Sequence, residues 1–500
     1  MNLANIIHWG ATYFPEREAL VFEDKALTYE ELNACIHSVA SYLRERGIRR
    51  GDRVALYADN RPEWVMIYYG VIALGAAVVC MSAAYKRYEL EHRINDSDPV
   101  LMVTTEAHSS CVPPREELPR LGEVLVIEKD DTLSSLGETK GAGAERVQIV
   151  DCDPGETCTI LYTGGTTGTP KGAMLTHQNL LYTAQNVCFH ERMVATDRSV
   201  CFMPLSHVFA SNHIMNSGFY AGATLVLHQG FDMDEIVSSI AANEVTRLYA
   251  VPTVYIRLLN HRGCHNHLSS IEYSFSAAAS MPSEVVRQWM DRFGLHMHEA
   301  YGMTETSSLV TFNHLYRHKM GSVGTPAGVV EVRIVNEAGI EVSQGEKGEI
   351  LIRGPNVMKG YYDNPDETAK AIKEDGWLHS GDIGFLDEEG YLYIVDRMKD
   401  MVISGGLNVY PKEVEEVLYT HEAIEECSVV GTPHEEYGEA VTAFIKLRED
   451  KAASEDELIR FCKEKMASYK APKRIIVMEA LPKTPQGKIL KRELRKIRPT

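Results

Sequence analysis

The sequence predicts an α/β protein: a large N-terminal body of α/β layers with a β-rich subdomain, followed by a small α+β C-terminal cap. Three observations carry this. Strand-like apolar runs alternate with helical stretches through the first part of the chain, the pattern of sheets covered by helices. From residue 321 onward that pattern gives way to short β segments, and after Asp400 a second compact α/β pattern begins. The 500 residues also exceed what one hydrophobic core usually organises. The expected division is residues 1–395 as body, 396–400 as a hinge and 401–500 as cap.

The elements follow in order. Thr28-Tyr-Glu-Glu31 is a capping box, so a helix is expected to open there and run to about Glu45. Residues 54–57, 78–81 and 100–104 read as buried strands. Residues 64–81 are eighteen positions without a charge, nominally long enough to cross a bilayer. Gly70 and Gly75 interrupt them, and Asn60 with Glu63 resembles a helix cap. The better reading is a core helix stopping near Gly75 and then a buried strand over 76–81. Residues 131–150 read as a surface connection, and 158–162 as a strand ending where glycines begin. Further on, 330–335, 348–352 and 391–395 read as β segments. In the cap, 412–418 and 456–466 read as helices, and 427–431 and 443–447 as strands.

Composition excludes several function classes. At 44% apolar and 24% charged the chain is an ordinary globular protein, and its net charge of −19 argues against a general nucleic-acid binder. Residues 463–500 depart from that balance, with twelve Lys/Arg against three acidic residues, a solvated basic face that also suits nucleotide phosphates. Ten scattered cysteines without a CxxC pair suit reduced, buried thiols. His261, Cys264, His265 and His267 match no standard zinc spacing. The first residues lack a basic start, and Glu16 and Glu18 arrive early, so a cytoplasmic protein with no integral membrane segment is expected.

Residues 162–172 read Tyr-Thr-Gly-Gly-Thr-Thr-Gly-Thr-Pro-Lys-Gly. Gly164, Gly165 and Gly168 let the backbone approach an anion, while Thr163, Thr166, Thr167 and Lys171 add donors and charge. That chemistry suits a polyphosphate. It is not a Walker loop, because Pro170 precedes the lysine and Gly172 follows it.

This stretch resembles the phosphate-binding signature of the adenylate-forming superfamily, which includes acyl-CoA synthetases, aryl-CoA ligases, adenylation domains and luciferases. The resemblance extends to Tyr301-Gly-Met-Thr-Glu-Thr306, Gly376-Trp-Leu-His-Ser-Gly-Asp382, Asp396-Arg-Met-Lys-Asp400 with Ser404-Gly-Gly-Leu-Asn-Val-Tyr410, and Pro482-Lys-Thr-Pro-Gln-Gly-Lys488, in the family's order. It implies ATP, Mg2+ and coenzyme A as cofactors and a small-molecule carboxylate as partner, with no nucleic acid and a homodimer left open. It implies that Lys488 is catalytic, reaching both carboxylate and α-phosphate, that Thr304 donates to the α-phosphate and that Glu305 ligates Mg2+. Tyr301 would stack on adenine, with Ala278 in the run 276–280 on the other side. Asp382 would take the ribose hydroxyls and Arg397 would join it. A mobile cap would turn about Lys399, and Gly405 and Gly406 would then let the pantetheine arm pass.

The same resemblance puts His207 at the gate of the acyl site. Between Met203 and Gly230 there is no Asp, Glu, Lys or Arg, so a partner for an α-ammonium is lacking and amino-acid activation is disfavoured. Acetate-specific relatives carry tryptophan where this chain has Gly302, which predicts a deeper pocket. Ser206, Ala210, Ser211, Asn212 and His213 suit a fatty-chain tunnel or a compact ring pocket alike. The expectation is an AMP-forming carboxylate–CoA ligase for a medium- or long-chain fatty acid, the alternative being an aromatic or alicyclic carboxylate. A carrier-loading adenylating enzyme and a luciferase-type oxygenase share the first half-reaction and remain open.

Overall fold

A computed structural model of the chain describes residues 1–135, 146–163, 170–261, 263–434, 436–449, 451–484 and 487–497. Two largely parallel sheets build the body. In the first, Glu18–Phe22, Thr224–Leu227, Arg198–Cys201, Arg247–Ala250, Tyr273–Ser276 and Met297–Tyr301 lie side by side and parallel. Antiparallel strands close its edges: Lys25–Thr28 at one, Thr311–Phe312 and Thr325–Pro326 at the other. The second sheet runs Glu123–Val126, Leu101–Thr104, Arg53–Tyr57, Ala77–Met81 and Thr157–Thr163, extended by Lys171–Thr176 and Gly360–Tyr361. Every residue of Ala77–Met81 is buried, as a strand covered on both faces requires.

Local signals explain these elements. Thr28 and Glu31 form both hydrogen bonds of the capping box, and the helix runs Tyr29–Glu45. The charge-free stretch divides into the helix Pro62–Ala73 and the strand Ala77–Met81, with Gly75 turning between them at a φ of 75°. Arg61, not Asn60, is the N-cap of that helix. Asn60 instead donates to the carbonyls of Met203 (2.9 Å) and His228 (3.1 Å), tying the end of one sheet to the other. Among the described residues no helix is long and apolar enough to cross a membrane.

Glu331–Val335, Gly348–Arg353, Leu378–Leu386 and Leu392–Arg397 form an antiparallel sheet. The 3-10 turn Met398–Asp400 leads out of it. Beyond that turn, Val402–Ser404, Leu407–Val409, Ile424–His434, Gly438–Leu447 and Arg474–Val477 make a further sheet. The helices Pro411–Tyr419 and Glu455–Lys465 pack against it around Val414, Val429, Ile445 and Leu458, a core separate from the body's.

Candidate active site

Thr163 and Lys171 are paired across an antiparallel hairpin, at the end of one strand and the start of the next. The segment between them therefore joins two strands, whereas a Walker loop opens a helix. Gly164, Gly165, Thr166, Thr167 and Gly168 lie outside the described residues. Lys171 is nearly buried; its ammonium pairs with Glu367 and stands 5.1 Å over the Tyr361 ring.

Neighbouring sheets bring together the residues expected to hold the nucleotide. Tyr301 ends a strand of the first sheet and donates its phenol to Asp382 Oδ2 at 2.6 Å. Asp382 is paired in register with Arg397, whose Nε lies 3.2 Å from Oδ1. The carboxylate is buried, so two donors fix its plane where ribose hydroxyls are expected to bind. Tyr301 thus has a task beyond the adenine face that the sequence assigned to it. Ala278 holds a φ of 68°, a left-handed conformation that costs an alanine about 1–2 kcal/mol. Beside it the buried Ser276 hydroxyl has no partner among the described residues. Such stored strain is typical of ligand sites.

Thr304 and Glu305 lie in the 3-10 turn Thr304–Thr306. The Tyr361 phenol donates to Glu305 Oε1 at 3.0 Å and the Met358 amide donates to the Glu305 carbonyl. This leaves Oε2 without a hydrogen bond among the described residues. One carboxylate oxygen held from behind and one turned outward suits Mg2+, which takes one or two carboxylates and fills its shell with phosphate oxygens and water.

Lys488 arrives from the cap. Thr484 and Lys488 close a tight turn through the Thr484 amide and the Lys488 carbonyl (2.7 Å), with Gly487 at a φ of 83°. Thr253 of the body donates to the Gly487 carbonyl at 3.3 Å. A β-carbon on Gly487 would stand 3.0 Å from that Thr253 hydroxyl and 3.1 Å from Val251. Burial, and behind it the Arg397 guanidinium, lower the Lys488 ammonium to about 8. His207 is lowered to about 4 by burial and by Lys488, so the imidazole is neutral. Its Nδ1 accepts from the Phe209 amide at 3.2 Å, which leaves the proton on Nε2.

Lys488, His207, Asp382, Arg397 and Tyr301 therefore form one cluster. Gly405 and Gly406 do not join it: both are exposed in a cap hairpin, with the Gly405 amide on the carbonyl of Tyr437. Lys399 is exposed in the turn between the sheets. Lys347–Glu413 (2.7 Å), Arg448–Asn260 (2.9 Å) and Lys412 to Asp396 (2.9 Å) add contacts between the two parts.

Three acidic residues and a tyrosine here carry no strong signal in the sequence. Tyr361 and Glu367 stand beside Lys171. Glu299, two residues before Tyr301, is buried with Oε2 unpartnered among the described residues, and burial raises it to about 7. Glu191 lies outside the charge-free window 203–230. Its carboxylate is fully buried, 2.7 Å from His213 Nε2, and also takes the Tyr249 phenol and Arg247. Being fully paired, it offers nothing to an α-ammonium.

Beside Gly302, where a deeper pocket is expected, the structure places backbone. A β-carbon on Gly302 would fall 1.9 Å from the Ser308 carbonyl oxygen and 2.9 Å from the Leu309 nitrogen. The room that glycine vacates is filled by backbone. Ser307 and Ser308 turn back with φ of 55° and 92°. Asn212 donates to the Ser307 carbonyl and Asn356 to that of Leu309, each at 2.8 Å. His213 rests against Phe275 (4.5 Å between ring centres) and Phe209 (5.5 Å).

Two family models match this chain: the AMP-binding enzyme over residues 7–362 and the AMP-binding enzyme C-terminal domain over residues 413–488. The chain belongs to the AMP-binding enzyme family. It is 35% identical, over 99% of its length and 94% of the relative, to a long-chain-fatty-acid–CoA ligase of Bacillus subtilis (strain 168). It is 36% identical to a feruloyl-CoA synthase of an Amycolatopsis species, over 96% of each chain. Among solved structures, the o-succinylbenzoate coenzyme A synthetase of Bacillus subtilis in complex with ATP and magnesium ion superposes with a TM-score of 0.83 at 31% identity. The match covers 98% of this chain and 99% of that one. The chain is an AMP-forming acid–thiol ligase that uses ATP, Mg2+ and coenzyme A.

Proposed function

We propose that this ligase activates a compact, ring-bearing carboxylate of the aromatic or alicyclic class. The observation that carries the reading is the turn at 307–309, whose backbone fills the space beside Gly302. Phe209, Phe275 and the His213 ring pack on one another out of solvent behind the His207 segment. A compact ring suits such close packing, whereas an alkyl chain of a dozen or more carbons needs an open path.

In the first half-reaction a carboxylate oxygen bonds to the α-phosphorus and the bond to the pyrophosphate oxygen breaks. Lys488 lies opposite that centre as a cation in a partly dehydrated site, where it offsets the charge building on both reacting groups. Asp382, with Tyr301 and Arg397 behind it, holds the ribose, so the α-phosphate stands still during displacement. Glu305 would hold Mg2+, which when bound neutralises the phosphate oxygens. Lys171 and the loop 163–168 take the leaving pyrophosphate. Neutral His207, with its proton on Nε2, orients the carboxylate without competing for it as a charge. The second half-reaction joins the thiol sulfur of coenzyme A to the acyl carbon and releases AMP. The exposed Gly405 and Gly406 take part once the cap has turned about residue 399.

A pyrophosphate-release screen tests the substrate. With coenzyme A present, benzoate- and cyclohexanecarboxylate-like acids are expected to give the highest kcat/KM. Dodecanoate or palmitate turning over faster than every ring acid would overturn the reading.

A further inference from the structure

Lys171 has a resident anion. The Glu367 side chain pairs with it through Oε2, and both groups are largely withdrawn from water, at 17% and 10% exposure. Glu367 is placed by its own helix, Pro365–Ala371, where the Asn364 side chain accepts from the Glu367 amide at 3.2 Å. Its other oxygen, Oε1, lies 2.6 Å from the Lys370 ammonium one turn later. The two lysines hold this carboxylate down at about 2, so it is an anion at any working pH. Tyr361 is paired with Ala173, two residues along from Lys171, and its ring stands under the ammonium while its hydroxyl reaches Glu305.

A phosphate-binding lysine so enclosed cannot wait as a bare cation, because a buried charge without a partner is costly. Handing it to a polyphosphate would ordinarily strand the carboxylate it leaves. Here Lys370 remains on Glu367, so the exchange leaves no charge unpaired, and Tyr361 faces the ammonium on its way.

We propose that Glu367 is a positioning residue for the pyrophosphate half of the site: it holds the Lys171 ammonium, competes with polyphosphate for it, and takes it back as pyrophosphate leaves. Affinity for pyrophosphate is then set by a contest between two anions, and product release is assisted by the carboxylate that recaptures the lysine. The proposal is independent of which carboxylate the enzyme activates, since pyrophosphate alone is the probe.

The test measures binding of magnesium pyrophosphate to the full-length enzyme by calorimetry. Glu367→Gln frees Lys171 and is expected to tighten binding about twofold to fivefold, the scale of one partly exposed ion pair. Lys370→Gln leaves Glu367 with Lys171 as its sole lysine and is expected to weaken binding by a similar factor. Opposite signs from two neighbouring substitutions are the signature, because a mere strut would move both the same way. Glu367→Gln binding pyrophosphate with unchanged or lower affinity overturns the proposal, as does Lys370→Gln leaving affinity unchanged or tighter. Melting temperatures of both variants run alongside, and a Glu367→Gln enzyme that loses stability and affinity together marks the pair as structural.

Discussion

Lys488 is held at about 8 instead of the ordinary 10.5, chiefly by burial and then by Arg397, so alkaline titration of the free enzyme is expected to disarm adenylation. A lowered lysine pKa means that the charged form dominates below that value and is lost as pH rises through it. About nine-tenths of the side chain is charged at pH 7 and about one-tenth at pH 9, a loss approaching tenfold per unit on the alkaline limb. The quantity to follow is kcat/KM for ATP in carboxylate-dependent pyrophosphate release, because it reports groups of the free enzyme. Lys488→Arg supplies the control. A guanidinium does not titrate in this range, so whatever adenylation remains should be flat on the alkaline side. Arg397→Gln should move the midpoint upward, since that guanidinium pushes it down. The reasoning fails if the wild-type limb stays flat to about pH 9.5, or if Lys488→Arg keeps it unchanged.

Two further outcomes follow from single contacts. Tyr301→Phe removes a buried hydrogen bond to a carboxylate, an interaction worth about 1.5–3 kcal/mol, so ATP affinity should fall about tenfold to a hundredfold by calorimetry. An unchanged dissociation constant would mean that Arg397 alone fixes Asp382. Gly302→Ala drives a methyl group into the Ser308 backbone, and overpacking of that kind costs about 1–3 kcal/mol. Its melting temperature should drop and its carboxylate KM should rise, and an enzyme unmoved in both would show that the 307–309 turn yields easily.

Local chemistry was readable wherever a few adjacent residues settle the matter. The capping box at Thr28 and Glu31 gave its helix to the residue, and Gly75 divided the long apolar run as a left-handed turn must. The convergence of Tyr301, Asp382, Arg397 and Lys488 from four separate segments was readable because these residues travel in motifs. What stayed hidden depends on contacts across the fold. Asn60 looked like a cap and proved to be a brace to Met203 and His228. Gly302 looked like open space, and only the returning chain at Ser308 shows the space filled. Glu191 and Glu367 escaped notice because a lone acidic residue on a helix is usually solvated, and neither has its decisive partner nearby in sequence. The one signal was negative: a lysine as enclosed as Lys171 needs an anion somewhere.

The space beside Gly302 is filled by main chain, and this constrains how the enzyme can change by mutation. At position 302 any side chain collides, while at position 308 no side-chain replacement moves the carbonyl that forms the wall. Asn212 and Asn356 pin that wall through groups whose loss leaves buried carbonyls unpaired. Opening room beside Gly302 therefore requires inserting or deleting residues between 306 and 309, a step that point mutation does not reach.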